Sequence, residues 1–309
     1  MRIAVIGAGG VGGYFGGRLA EAGEDVTFLA RGRTLEALRT NGLRIRSPLG
    51  DAAIEPVSVA EDPAEVGPAD LVILGVKAWQ VPDVARTLGP MIGEGTSILP
   101  LQNGVEAPDQ LIEVLGAGPV LGGLCKIISK IEKPGVIQHI GTEPFIEFGE
   151  LDSRPSARVQ AIHAALQHAG ITVRISGDIR AAMWLKFLFI ASVSGVGAVT
   201  RVPIGTFRQI PETRAMLRQA MEEIRDVGLA RGLELPSGCV DATLHFVDGL
   251  PESGTASMQR DLMDGSPSEL DSQNGAVVRL AEAAGVAVPV NTFLYHALLP
   301  SERLARATA

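Results

Sequence analysis

Three sets of residues in this 309-residue chain have types and spacings that can do chemistry. Gly7-Ala-Gly9-Gly-Val-Gly12 matches G-x-G-x-x-G, the spacing that lets backbone amides approach a pyrophosphate. Lys186 is a lone ammonium inside the apolar run Ala181-Ala-Met-Trp-Leu-Lys186-Phe-Leu-Phe-Ile-Ala191, a group able to polarise a carbonyl and donate a proton. Ser268-Glu-Leu-Asp271 holds two carboxylates at what reads as a helix start. Each has a plainer reading. Glycine supplies 37 of 309 residues, so chance alone expects roughly half a glycine-motif match per chain. A lysine in a helix apolar all round can snorkel or pair. Carboxylates at a helix start can simply cap it.

Placement separates these readings for the glycines. Residues 2–7 read as a buried strand and residues 11–22 as a helix stopped by Gly23, with the motif directly between them. There Gly7 permits the tight turn, Gly9 admits the pyrophosphate and Gly12 allows close helix–strand packing. The amides of Gly10 and Val11, at the helix N-terminus, are expected to face the phosphates. A second strand, residues 25–30, runs into Arg31-Gly-Arg33 with no carboxylate. That favours NADPH, with Arg31 toward the 2′-phosphate, over NAD, whose ribose is met by Asp or Glu. The plainer reading of Arg31 is a surface charge. Lys77, with Gln80 one turn on, follows the strand 70–76, and Asn103-Gly104 follows the strand 97–102. In open α/β sheets ligands bind outside the carboxyl ends of the strands, so these positions are expected to line one cleft.

The elements behind those positions alternate. Helical patterns at 34–41, 81–91 and 108–115 separate continuous apolar strands, the pattern of a parallel sheet covered on both faces. Less regular strands are expected at 120–124, 136–140, 144–148 and 171–175. Beyond Ser176 only helical periods appear, at 179–199, 212–231, 238–247 and 269–284. The expected organisation is an α/β domain over 1–176 and a mostly α-helical domain over 177–309. Gly195 and Gly197 find no assignment at this level.

Composition excludes several classes. Lys and Arg number 27 against 35 Asp and Glu, a net charge of −8, and no basic run stands out, so no nucleic-acid partner is expected. The longest uncharged apolar run, residues 187–200, falls short of the ~20 needed to span a bilayer. It reads as a core helix, and no membrane association is expected. Cys125 and Cys239 form no disulfide framework and fit a reducing, cytoplasmic setting. The five histidines lack ligand spacing, so no metal is expected.

Taken together, the motifs resemble one family. Besides the glycine loop they are Val76-Lys-Ala-Trp-Gln80, Gln102-Asn-Gly104, Met183-Trp-Leu-Lys186, Ser257-Met-Gln-Arg-Asp261, Ser268-Glu-Leu-Asp271-Ser-Gln-Asn-Gly275 and Val286-Ala-Val-Pro289-Val-Asn-Thr292. With these, the chain resembles the ketopantoate reductase (2-dehydropantoate 2-reductase) family from end to end. The resemblance implies a Rossmann-type dinucleotide-binding domain joined to a helical substrate domain. It implies NADPH-dependent reduction of a 2-oxo acid, best matched by ketopantoate to pantoate in pantothenate biosynthesis. Lys186 falls on the family's proton donor. Arg31, Lys77, Asn103 and Glu269 fall on cofactor-contacting positions, and Ser257 on one that holds the substrate carboxylate; Asn103, Lys186 and Ser194 are also expected on the substrate side. The chain departs from the family where Asn is usual four and eight residues after the lysine; here stand Ile190 and Ser194, and Ile204 replaces a further Asn. Lys186, Ile190 and Ser194 share a helix face. Two other readings therefore stay open: a reductase of a more apolar 2-oxo acid, and a non-catalytic NADP(H) sensor. Small residues on the helices suit a homodimer.

Overall fold

The computed structural model describes residues 1–141 and 143–308, which divide into two compact units. The first comprises Met1–Gln102 and Ala107–Ile179. Its elements are β1 (Arg2–Ile6), α1 (Gly10–Glu21), β2 (Asp25–Leu29), α2 (Gly32–Asn41), β3 (Leu43–Arg46), β4 (Ala52–Ile54), β5 (Ser58–Ala60), α3 (Pro63–Val66) and β6 (Leu71–Leu74). There follow α4 (Val81–Thr87), β7 (Ser97–Pro100), α5 (Ala107–Leu115), β8 (Gly122–Lys126), β9 (Ser129–Lys133), β10 (Val136–His139), β11 (Phe145–Gly149), α6 (Ala157–His168) and β12 (Thr172–Ile175).

The parallel sheet has the order β5-β2-β1-β6-β7. Alternate residues of its strands enter opposite cores: Ile3, Val5, Phe28 and Ile73 on one face, Ala4, Ile6, Val72 and Leu74 on the other. Burial on both faces is why these strands read as unbroken apolar runs. A mixed sheet, β4-β3-β10-β9, and a smaller one, β12-β11-β8, complete the unit. Three short strands (β3, β4 and β5), the edge strand β9 and the helices α3 and α6 add to the elements expected from sequence. β9 is exposed at four of its five positions, so its sequence carries little apolar signal.

The helix α1 lies between the parallel sheet and the β4-β3-β10-β9 sheet, and its sequence answers to both. A Cβ on Gly16 would stand 2.7 Å from Phe28 Cε1 and 2.8 Å from Val5 Cγ2. One on Gly17 would stand 2.6 Å from Ile45 Cδ1, and one on Gly13 2.8 Å from Ile137 Cγ1. Positions 12 and 16 thus serve one sheet, 13 and 17 the other. Each helix-interior glycine costs about 1 kcal/mol relative to alanine, and the close approach of two sheets offsets it.

The second unit comprises Arg180–Ala309 with the short segment Asn103–Glu106. It is helical: α7 (Ile179–Thr200), α8 (Ile204–Phe207), α9 (Pro211–Ala230), α10 (Cys239–Asp248), α11 (Ser257–Met263), a π-helical turn (Asp271–Gly275), α12 (Ala276–Ala284) and α13 (Pro289–Thr308). Although α7 is long and apolar enough to cross a membrane, 67% of its most apolar stretch is buried in the fold. The helix α13 adds twenty residues of helix where sequence patterning found none.

Gly16→Ala tests the two-sheet constraint. Helix propensity alone would favour alanine, whereas overpacking of this site should cost about 1–3 kcal/mol. A lowered urea midpoint is expected; an unchanged or raised one rejects the account.

Candidate functional site

In the first unit, β1 ends at Ile6 and the chain turns at Gly7, whose φ of +93° suits only glycine well. A Cβ on Gly12 would meet the carbonyl oxygen of Gly7, so this glycine is required by the turn itself. Gly9 differs: no atom lies within 4 Å of where its Cβ would stand. It is the N-cap of α1 and contributes no side-chain cap, so the first amides of the helix, Gly10 and Val11 among them, have no capping side chain from it. Gly10 is crowded from a direction the sequence did not indicate, because Ser129 Oγ on β9 would lie 2.9 Å from its Cβ. No local signal marks Ser129, which arrives from an exposed edge strand.

Three further groups stand at the carboxyl ends of parallel strands. Arg31 follows β2 as the exposed N-cap of α2. Lys77 follows β6; its amide donates to Gln80 Oε1 (3.1 Å), and its ammonium lies 5.6 Å from the Trp79 ring centroid. Gln102 follows β7 and donates to the carbonyls of Leu74 (2.8 Å) and Val76 (3.1 Å), fastening the ends of β6 and β7 together. The strand order runs outward from β1 through β2 on one side and from β6 on the other. The glycine loop therefore sits at the topological switch point, where such sheets take ligands.

In the helical unit Lys186 is half-buried on α7, one turn before the half-buried Ile190 and two before Ser194. Ser194 is fully buried, and its hydroxyl has no hydrogen-bond partner among the described residues. The glycines that follow find their reason here. A Cβ on Gly195 would stand 2.8 Å from Asn274 Nδ2, and one on Gly197 2.6 Å from Gln259 Oε1, so both make room for buried amides. Asn274 donates to Ala191 O (3.2 Å) and to Asn291 Oδ1 (3.3 Å). Asn291 in turn donates to Glu223 Oε2 (2.8 Å), whose carboxylate also accepts the amides of Val290 and Asn291 at the start of α13. Trp184 Nε1 donates to Ile224 O (2.9 Å), joining α7 to α9.

Asn103, grouped by sequence with the strand ends, packs with the helical unit. Its Nδ2 donates to Glu269 Oε2 at 3.1 Å, and Gln273 Nε2 reaches the same oxygen at 3.4 Å. Glu269 is 6% exposed, with its carboxylate turned to these amides. Ser268 beside it donates its amide to Glu302 Oε2 (3.0 Å), and Glu302 pairs with Arg306 (2.6 Å). Asp271, also read as a capping candidate, instead accepts from Tyr295 Oη (2.9 Å) and Arg279 Nη1 (2.9 Å). Burial and the bond to Asp271 push the Tyr295 phenol up. Burial opposes the charge on Arg279, but Glu106 and Asp271 outweigh it and hold its pKa above the usual value. Ser257 opens α11, half-buried, and Ile204 is buried with its amide on Gly254 O (2.9 Å). The structure thus joins Asn103 directly to Glu269, and places Lys186, Ser194 and Ser257 in the same helical unit. Gly7, Gly9, Gly10, Val11, Gly12, Arg31 and Lys77 belong to the first.

Comparison with known proteins adds a history to this geometry. Residues 3–153 match the family described as ketopantoate reductase PanE/ApbA, and residues 178–302 match its C-terminal region. A curated relative from Bacillus subtilis, the uncharacterized oxidoreductase YkpB, is 32% identical over 96% of this chain and 97% of its own. The 2-dehydropantoate 2-reductase of Halobacterium salinarum is 32% identical over 94% of this chain and 95% of its own. The crystal structure of a PanE/ApbA family ketopantoate reductase from Ralstonia eutropha JMP134 superposes with a TM-score of 0.90 at 31% identity, covering 99% of this chain and all of the other. D-mandelate dehydrogenase, solved with NADH and anilino(oxo)acetate, shares the fold (TM-score 0.89, 22% identity).

Gly9→Ala separates stability from binding. The added methyl meets no protein atom, so the urea midpoint should stay within about 0.5 kcal/mol of wild type. Affinity for a reduced nicotinamide dinucleotide, read by its fluorescence, should fall at least about tenfold. Equal affinity in the variant would remove the cofactor from this loop.

Proposed function

The chain belongs to the ketopantoate reductase PanE/ApbA family of oxidoreductases, and from that premise we propose that it is an NADPH-dependent reductase converting ketopantoate to pantoate, the step that serves pantothenate synthesis. The residues present fit the cofactor: an uncapped helix N-terminus behind Gly9, open space over that glycine, and Arg31 with no carboxylate at the end of β2. Gly7, Gly9, Gly10, Val11 and Gly12 hold the pyrophosphate, Arg31 the 2′-phosphate, and Lys77 the neighbouring charge. NADPH supplies the hydride for the C2 carbonyl carbon of the 2-oxo acid.

The observation that carries the reading is Lys186. It is the one charged residue of α7 from Ala181 to Thr200, and it is half-buried rather than extended into solvent. An ammonium so placed polarises the carbonyl oxygen and donates a proton to the developing alkoxide. Ser257 holds the substrate carboxylate, Asn103 orients the substrate and cofactor edge, Glu269 orders Asn103, and Ser194 serves the far end of the substrate side. In this reading residues 1–176 carry the cofactor and 177–309 the substrate chemistry, with Asn103 the exception in sequence.

Lys186→Ala is expected to lower kcat by at least about a hundredfold while NADPH affinity stays near wild type. Wild-type turnover would end the assignment.

A second reading keeps the enzyme and changes the substrate. Ile190 stands one turn from Lys186 on the same helix face, half-buried, and offers no hydrogen bond to a substrate hydroxyl. Sites that bind a hydroxyl discriminate by up to ~10⁴-fold against analogues lacking it. A comparison of kcat/KM for ketopantoate and its 4-deoxy analogue decides. Parity or preference for the deoxy acid supports an apolar 2-oxo acid as substrate; a large preference for ketopantoate removes that reading.

A further inference from the structure

Asn103 lies in a four-residue segment, Asn103–Glu106, that leaves β7 and enters α5 yet packs within the helical unit. Every residue of it is held. Asn103 reaches Glu269 (3.1 Å). Gly104 adopts φ +99°, and a Cβ there would stand 2.8 Å from Ser272 O, so the segment runs close against the π-helical turn. Val105 packs against the helical core. Glu106 Oε2 accepts from Arg279 Nη2 at 2.9 Å.

Arg279, on α12, makes more than that bond. Its Nη1 donates to Asp271 Oδ1 (2.9 Å) and its Nη2 also to Asp271 O (3.0 Å), while Tyr295 Oη steadies the same Oδ1 (2.9 Å). The guanidinium therefore spans two chain segments: Glu106, three residues past Asn103, and Asp271, two residues past Glu269. Those are the two segments whose side chains meet in the Asn103–Glu269 bond. A planar fork with five donors can bridge two carboxylates and a carbonyl at fixed angles, which a point charge on a flexible stem cannot. Arg279 is 45% and Asp271 53% exposed, too open for their ion pair to hold up the fold. The Glu106 end is the more buried one, its side chain 21% exposed, and a bridge tied there and set beside a bond between two site residues is suited to fixing geometry.

We propose that Arg279 is a positioning residue: by stapling Glu106 to Asp271 it holds the Asn103 segment against the π-helical turn and so sets the Asn103–Glu269 bond. The proposal rests on the reading of Asn103 given above. In Arg279→Met, amide hydrogen exchange over residues 102–107 should accelerate about tenfold or more, with the thermal midpoint near wild type. The kcat/KM for the 2-oxo acid should fall about tenfold, the scale of a small misplacement, and the loss should vanish in an Asn103→Ala background because the effect acts through Asn103. Glu106→Gln, which weakens the other end of the staple, should give the same pattern if Arg279→Met folds poorly.

Unchanged exchange in both variants, with Asn103→Ala impaired, overturns the positioning role and leaves the proposed function standing. Accelerated exchange with a loss that persists fully in the Asn103→Ala background also overturns it. Wild-type activity in Asn103→Ala overturns the role given to Asn103, and the positioning role with it.

Discussion

The first unit is organised by how closely α1 must approach two sheets at once. Its two glycine pairs leave space for Phe28 and Val5 on one side and for Ile45 and Ile137 on the other. Side chains at those positions would hold the sheets apart, and interiors packed to crystal density have no slack to absorb that. The consequence reaches the helix N-terminus. Because α1 is pressed against β1 and lies under β9, the turn at Gly7 is tight, Gly9 is left open, and Ser129 comes up to Gly10. The excess of glycine in this chain is in part a packing requirement, and the glycines of one motif differ in it: a Cβ on Gly12 would collide with the turn, whereas one on Gly9 would meet nothing.

The helical unit solves a different problem, which is to hold a long apolar helix in one register. Apolar surfaces slide; hydrogen-bonded ones do not. Asn274 and Gln259 enter the two gaps beside Gly195 and Gly197, and Asn274 bonds Ala191 O on α7. The chain of bonds continues through Asn291 to Glu223, whose carboxylate meets two amides at the N-terminus of α13. A buried carboxylate without a helix N-terminus or a cation would be costly; here the positive end of the helix offsets it. Lys186 is thus carried on a helix indexed by polar contacts rather than by shape alone.

Much of this was legible in the residues and some was not, for identifiable reasons. The parallel strands read clearly because both their faces are buried. The helix α13 did not. Its buried face runs Asn291, Leu294, Leu298, Glu302, Ala305, a regular stripe whose first and fourth members are polar. An apolar count misses it, although Asn291 and Glu302 are buried for their bonds to Glu223 and Ser268. The strand β9 failed for the converse reason: four of its five residues face solvent. Asp271 looked like a helix cap from its neighbours, and its actual partners, Tyr295 and Arg279, were hidden by distance along the chain.

What the sequence by itself determined is local: a glycine turn between a strand and a helix, Arg31 without an acidic neighbour at the next strand end, and one ammonium in an apolar helix. Each follows from the chemistry of a few adjacent residues and the period of the element holding them. Tertiary structure decided the pairings: Ser129 against Gly10, amides against Gly195 and Gly197, and Asn103 on Glu269, 166 residues away. Such contacts depend on which faces of distant elements meet, and a hydrogen bond forms only within a few tenths of an ångström of its ideal length. No spacing along the chain encodes that.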